Sequence, residues 1–261
     1  MISIITVTKN NPEDLRRTLN SIGSQTLTDV EIIIVDGDED ADSSYSLASE
    51  VVFFPRTFVV LAGPDNGIAH AFNKGLAVAK GDIINYLNAG DAFVDESVLS
   101  KVSDSYSRLE WAWAFGWRNR VDAQGRVFPP RANEKNKAVT RERFFSGSAF
   151  ISHQATFVSR RACAAVSKYD EAYMFYAMDI DYLCRLWIYE APVQIAEVLV
   201  NYDVTGISSR NFIMSLREKK KVLLRWTDGA AKVKVEFIYY RTLLLGLMKR
   251  RLRNLFYRVI A

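Results

Sequence analysis

The chain opens on a β-rich run, Ile2–Thr8, after which Asn11-Pro12 sets a capping side chain ahead of proline at a first helical position. Leu15, Leu19 and Ile22 then recur at helical spacing, completing one β-α unit. Val30–Val35 is nearly continuous in apolar residues, as a strand buried on both faces should be, and it ends in Asp36-Gly37. A loop rich in Asp and Ser is expected to follow. Phe58–Leu61 reads as a further strand, Ile68, Phe72, Leu76 and Ala79 mark a helix face, and Ile83–Leu87 is a buried strand ending in Asn88-Ala89-Gly90-Asp91. The pattern predicts an α/β fold with a mostly parallel sheet covered by helices. Its polar clusters recur at strand carboxyl ends, the edge where open α/β sheets bind ligands.

From Trp111 the texture changes. Trp111–Phe115 and Trp117–Val121 read as two strands, Ala123-Gln124-Gly125 as a turn, Asp179–Tyr189 as a helix, and Val193–Tyr202, just after Pro192, as a late strand. From Asn211 the chain reads as two helices interrupted at Thr227-Asp228-Gly229.

Composition narrows the class. With 261 residues, 49% hydrophobic and 25% charged, the chain can bury a sizeable core, which excludes disorder and a miniature scaffold, and no fixed-period repeat points to a solenoid. Cys163 and Cys184 lie among apolar neighbours without metal-ligand spacing, so free core thiols in a reducing compartment are expected. The opening lacks a basic n-region and a cleavage site, so the chain is expected to begin in the cytoplasm. The run Leu243–Met248, bracketed by Arg241 and Lys249, is far shorter than the roughly 20 apolar residues of a spanning helix.

The formal charge of +4 conceals an asymmetry: residues 1–211 hold 21 Lys and Arg against 27 Asp and Glu, and residues 212–261 hold 13 against 3. The tail carries Lys219-Lys220-Lys221 and Lys249-Arg250-Arg251, with Phe237, Tyr240, Leu244, Met248, Leu252, Leu255 and Val259 at helical intervals. A basic amphipathic helix of this kind suits an anionic membrane surface, through residues 233–261. Nucleic acid and packing in a homo-oligomer are the rivals; the large aliphatics favour lipid, and no nucleic acid is expected.

Several motifs together carry a resemblance. Thr6-Val7-Thr8-Lys9-Asn10-Asn11, Val35-Asp36-Gly37, Asp65-Asn66-Gly67 through Asn73-Lys74-Gly75, Gly81-Asp82 through Asn88-Ala89-Gly90-Asp91, His153-Gln154, and Met178-Asp179-Ile180-Asp181 through Arg185 resemble the inverting family 2 glycosyltransferases of GT-A fold. The branch resembled works on bacterial surface polysaccharides, including colanic-acid-type enzymes, and the match spans about residues 1–205. The resemblance implies a GT-A domain over 1–210, with a nucleotide-sugar half (1–110) and an acceptor half (111–210), followed by a basic helical tail (211–261).

The same resemblance distributes roles. Thr8, Asn10 and Asp36 would line the nucleotide base. Asp65, Asn73 and Lys74 would meet the ribose or diphosphate, beside a helix N-terminus able to stabilise an anion. Asn88-Ala89-Gly90-Asp91 replaces an Asp-x-Asp metal motif, leaving Asp91 as the one carboxylate for a divalent cation, Mg²⁺ or Mn²⁺, beside Asn88. Asp179 would be the general base, Met178 standing where a Glu often precedes it. His153, Gln154 and Asp181 are acceptor-side candidates, with an i,i+4 ion pair to Arg185 as the plain alternative for Asp181. His70 stands where relatives commonly carry Asp, and most of Asp38–Asp42 reads as a solvated loop.

The implied activity is transfer of a sugar, with inversion, from a nucleoside-diphosphate sugar to a glycan or lipid-linked acceptor at the cytoplasmic membrane face. The thinned metal motif leaves an alternative: a catalytically degenerate protein that binds sugar nucleotide as a membrane-associated scaffold subunit. A nucleotidyltransferase fits less well, because Lys9-Asn10-Asn11-Pro12 does not supply its Gly-rich basic loop.

Overall fold

The computed structural model describes residues 1–39, 41–51, 56–131, 137–173, 176–206 and 211–260, with side chains through residue 248. Asp40 and the side chains of the stretch holding Lys249-Arg250-Arg251, Leu252, Leu255 and Val259 lie outside them. Nine strands form one sheet in the order β3-β2-β1-β4-β8-β6-β9-β5, with β7 paired to β6. In chain order they are β1 (Ile2–Thr8), β2 (Val30–Asp36), β3 (Thr57–Ala62), β4 (Ile83–Tyr86), β5 (Ala92–Phe93), β6 (Trp113–Val121), β7 (Val127–Phe128), β8 (Thr156–Ser159) and β9 (Val193–Asp203). The first four run parallel, β8 runs antiparallel to both β4 and β6, and β6 pairs parallel with β9.

Every residue of β2 is buried, as its unbroken apolar run requires. Helices α1 (Pro12–Gly23), α2 (Asp42–Val51) and α4 (Val98–Leu109) cover one face, and α3 (Ile68–Val78), α6 (Arg160–Val166) and α7 (Met178–Tyr189) cover the other. A short α5 (Arg141–Phe145) packs with the second group, and α8 (Phe212–Arg225) and α9 (Ala230–Ile260) follow β9. This is the α/β architecture implied by the resemblance. Asn11 caps α1 as expected, accepting from the Asp14 N–H.

Two expectations need correction. The Asp- and Ser-rich stretch after β2 is helical from Asp42, because Leu47 and Ala48 bury against the core and the buried Ser44 finds a partner in Asp36. Trp111–Phe115 and Trp117–Val121 are not two strands. Gly116 sits within a single β6, where a Cβ would fall 2.5 Å from Leu199, and a register shift against β9 absorbs the irregularity.

Packing continues past the boundary expected at residue 210. Val222 and Leu223 of α8 and Val235 of α9 belong to the same apolar cluster as Phe144, Met178 and Trp187. The tail therefore begins inside the main core, and only its outer face is free of it. Cys163 and Cys184 are buried and unbonded. Among the described residues no helix is long and apolar enough to cross a membrane.

Candidate functional site

Three strand ends build the site. At the ends of β1 and β2 a pocket of about 480 Å³ is lined by Thr8, Asn10, Asp36, Asp38 and Ser44 among others. Asn10 adopts the left-handed conformation (φ 52°), which Asn tolerates, and its N–H donates to Asp38 Oδ2 at 3.0 Å. Asp36 is buried, with Oδ2 accepting from Ser44 Oγ at 2.5 Å and Oδ1 from the Asp38 N–H at 3.1 Å. Thr8 Oγ1 is buried without a partner among the described residues, a hydroxyl able to meet a ligand. The three residues expected at a nucleotide base thus share one pocket.

The α3 segment departs from expectation. Asp65 Oδ1 accepts from the Gly67 N–H at 2.8 Å and His70 Nδ1 from the Asn66 N–H at 3.2 Å, so two N–H groups at this helix start are already satisfied. Lys74 Nζ donates to the Gly63 carbonyl at 3.1 Å. Asn73 donates to the Tyr169 carbonyl and Glu171 Oε1 and accepts from the Tyr169 N–H, which makes it a brace for the 169–171 loop. Of this group Asp65 lies beside Gly37, which follows the pocket residue Asp36: a Cβ on Gly37 would fall 2.7 Å from Asp65 Oδ2.

The loop after β4 is held by Thr18, whose hydroxyl donates to the Asp91 carbonyl at 2.7 Å and accepts from the Gly90 N–H at 3.0 Å. Gly90 turns at φ 97°, with the Asp14 carboxylate against it. Asp91 is 3% exposed, its Oδ1 accepting from the Asp203 N–H at 2.9 Å, and the nearby Gln154 side chain favours the ionised form of the same carboxylate. Burial outweighs these influences and the charges of His153 and Arg118, pushing the Asp91 carboxyl up to about 7.

His153 and Gln154 sit on a single 3-10 turn, His153–Ala155, leading into β8. His153 Nδ1 lies 3.3 Å from Asp179 Oδ2, and Nε2 lies 3.5 Å from Asn88 Nδ2. Asn88 Oδ1 is buried without a partner among the described residues. One dipeptide therefore lies between the Asn88–Asp91 loop and Asp179, with His153 within reach of both Asn88 and Asp179. For Asp179, burial pushes the carboxyl up, but the His153 hydrogen bond and charge, the Ile180 N–H and the Lys219 charge outweigh it and hold the group below the usual range.

Asp181 lies on the other side of α7. It is 2% exposed, with Oδ2 accepting from Arg185 Nε at 3.0 Å and Oδ1 from Trp226 Nε1 at 2.9 Å. One oxygen is thus engaged by Arg185 within α7 and the other by Trp226 just after α8, the geometry of the ion-pair alternative. A cavity of about 550 Å³ on this side holds Arg185, Lys168 and Arg225, each paired with an acidic neighbour.

The sequence reading passed over Arg118, Tyr202, Phe150 and Lys219. Arg118 on β6 stacks on Tyr202 of β9, its Cζ 4.1 Å from the ring centroid, and interacts with Asp91. Lys219 on α8 interacts with Asp179. The basic triplet hid this division: Lys219 precedes the buried Val222 and Leu223 by three and four residues, on one helix face, whereas Lys221 is exposed.

A divalent cation is compatible with these residues. Among the described residues no cluster of three His, Cys, Asp or Glu side chains could hold a metal unaided. A single carboxylate sharing the ion with substrate phosphates is nonetheless how Mg²⁺ is commonly bound, and the raised proton affinity of Asp91 marks a carboxylate short of compensating positive charge.

Residues 3–166 match the family model described as Glycosyl transferase family 2. An uncharacterized glycosyltransferase of Mycobacterium tuberculosis is 29% identical over 213 residues, covering 80% of this chain and 77% of its own length. A PGL/p-HBAD biosynthesis glycosyltransferase of Mycobacterium bovis is 31% identical over 106 residues, 40% of each chain. Among solved structures, Staphylococcus aureus TarS 1–349 superposes with a TM-score of 0.67 at 16% identity, over 92% of this chain and 73% of that one. A mannosyltransferase from Pyrobaculum calidifontis, in complex with GDP-Man and Mn²⁺, gives 0.62 at 14% identity, over 92% and 68%.

Proposed function

The chain belongs to glycosyl transferase family 2, and from that premise we propose that it moves a sugar from a nucleoside-diphosphate sugar to a glycan or lipid-linked acceptor, with inversion at the anomeric carbon. The observation that carries the reading is the placement of His153 between Asp179, at 3.3 Å, and Asn88 of the loop that ends in Asp91, at 3.5 Å, beside the pocket of Thr8, Asn10 and Asp36. In this reading the base of the nucleotide occupies that pocket, with Asp65 at its edge, and the diphosphate runs toward Asp91.

Asp179 takes the proton of the acceptor hydroxyl as its oxygen attacks the anomeric carbon from the face opposite the leaving group. His153 orients that carboxylate and keeps it ionised, which a base needs. The Asp203 N–H holds the Asp91 carboxylate in a fixed direction. A divalent cation, Mg²⁺ or Mn²⁺, would be held by Asp91 with the donor's phosphate oxygens and would offset charge on the leaving group. The solved neighbours that hold UDP-GlcNAc, or GDP-Man with Mn²⁺, support a nucleotide-sugar donor.

The outer face of α9 supports docking on an anionic lipid surface, which would bring the enzyme to lipid-linked acceptors of the surface-polysaccharide type at the cytoplasmic face. Val233, Phe237, Tyr240, Leu244 and Met248 recur at intervals of three and four residues, each more than half exposed, in a segment rich in Lys and Arg. The test of the function is calorimetry with UDP, GDP and their sugar conjugates. Binding that is lost in Asp36→Ala, followed by release of the nucleoside diphosphate when an acceptor fraction is added, supports it. Binding without turnover by any donor favours the scaffold alternative.

A further inference from the structure

Arg118 and Lys219 come from distant parts of the chain to the same aromatic ring. Arg118 Cζ lies 4.5 Å and Lys219 Nζ 5.4 Å from the centroid of Phe150, and the two cations sit close enough for each to disfavour the other's charge. Among the described residues neither forms an ion pair within 4.0 Å, although Arg118 feels Asp91 and Lys219 feels Asp179. Burial pushes both groups below their ordinary values.

The contrast with Asp181 is informative. That buried charge is met by Arg185 and Trp226 at hydrogen-bonding distance, so the fold compensates a buried charge where structure is the purpose. Two half-buried cations brought to one ring, with no ion-pair partner within 4.0 Å among the described residues, present a concentration of positive charge that favours an anion. Their place, between Asp91 and Asp179, is where the reaction develops negative charge.

We propose that Arg118 and Lys219 form an anion subsite for the donor's diphosphate, an assignment that rests on the glycosyltransferase reading above. As the acceptor oxygen bonds to the anomeric carbon and loses its proton to Asp179, the bond from that carbon to the diphosphate oxygen breaks and its electron pair stays on the diphosphate. The guanidinium and ammonium groups meet that added charge from positions fixed before the reaction, which lowers the barrier without reorganisation. The subsite complements the single carboxylate at Asp91, and it makes α8 part of the catalytic unit.

The test is calorimetry of UDP and GDP, each in EDTA and in Mg²⁺, on the full chain and on Lys219→Met, Arg118→Gln and Lys219→Arg. The wild type binds one of the two nucleotides in EDTA, and Lys219→Met and Arg118→Gln weaken that binding by about tenfold or more. Lys219→Arg restores most of it, and the affinity for the matching nucleoside without phosphates is unchanged. Loss of nucleoside and diphosphate binding in parallel means a merely structural role and overturns the subsite, as do variants that bind diphosphate like the wild type. A wild type that binds no nucleoside diphosphate in either condition instead removes the glycosyltransferase reading itself.

Discussion

His153 Nδ1 lies 3.3 Å from Asp179 Oδ2, while the opposite nitrogen of the same ring faces the Asn88 amide at 3.5 Å. A single imidazole therefore spans the gap between the helix carrying the proposed base and the loop carrying Asp91. The consequence is electrostatic: without His153, burial becomes the dominant influence on the Asp179 carboxyl, and its pKa rises.

A base must be ionised, so turnover rises with pH through the Asp179 pKa. His153→Ala is expected to shift the acid limb of the kcat/KM profile to higher pH, with a lower plateau from lost orientation. An acid limb that stays in place while the plateau falls would mean that His153 does not tune this carboxylate.

Asp91 titrates in the opposite sense. Its folded pKa, about 7, lies above the ordinary 3.8, so its contribution to stability is intact below the unfolded value and is lost as pH rises through the folded one. In EDTA, Asp91→Asn should therefore gain on the wild type by about 2–3 kcal/mol between pH 5 and pH 8, measured by urea unfolding. A stability difference independent of pH would contradict the burial argument.

Asp181→Ala should act on the fold. Removing a buried acid strands Arg185 and frees the Trp226 N–H, at a cost of about 3–5 kcal/mol. Urea midpoints should fall while the folded fraction keeps its nucleotide affinity. A variant of normal stability with lost turnover would restore Asp181 to the acceptor side.

Lipid docking calls for surface substitutions, because Val235 and Tyr239 are buried and removing residues 233–261 would open the core. Phe237→Asp with Leu244→Asp should abolish co-sedimentation with phosphatidylglycerol-containing vesicles at unchanged thermal stability. Raised salt should weaken binding of the wild type through screening. Retained co-sedimentation of the double variant would assign the stripe to another partner.

What was legible in the sequence follows from physical range. Thr8, Asn10 and Asp36 are grouped by the family resemblance, and the fold brings them into one pocket because parallel strands place their carboxyl ends at one edge. The α2 helix was hidden because its burial rests on Leu47, Ala48 and a serine whose partner is eight residues away. Asn73 and Lys74 occupy the positions the resemblance implied, yet their side chains answer to Tyr169, Glu171 and Gly63, contacts that exist only once the chain has folded. Lys219 was concealed by its own neighbours, since three consecutive lysines look alike in sequence and point in three directions on a helix.

The most direct measurement compares single-turnover release of nucleoside diphosphate by the wild type and Asp179→Asn at equal donor saturation. Asparagine keeps the shape and removes the basicity, so the rate should fall by about 10²–10⁴-fold while donor affinity stays within error of the wild type. Near wild-type release by Asp179→Asn, with Asp181→Asn inactive, would contradict the assignment of the base.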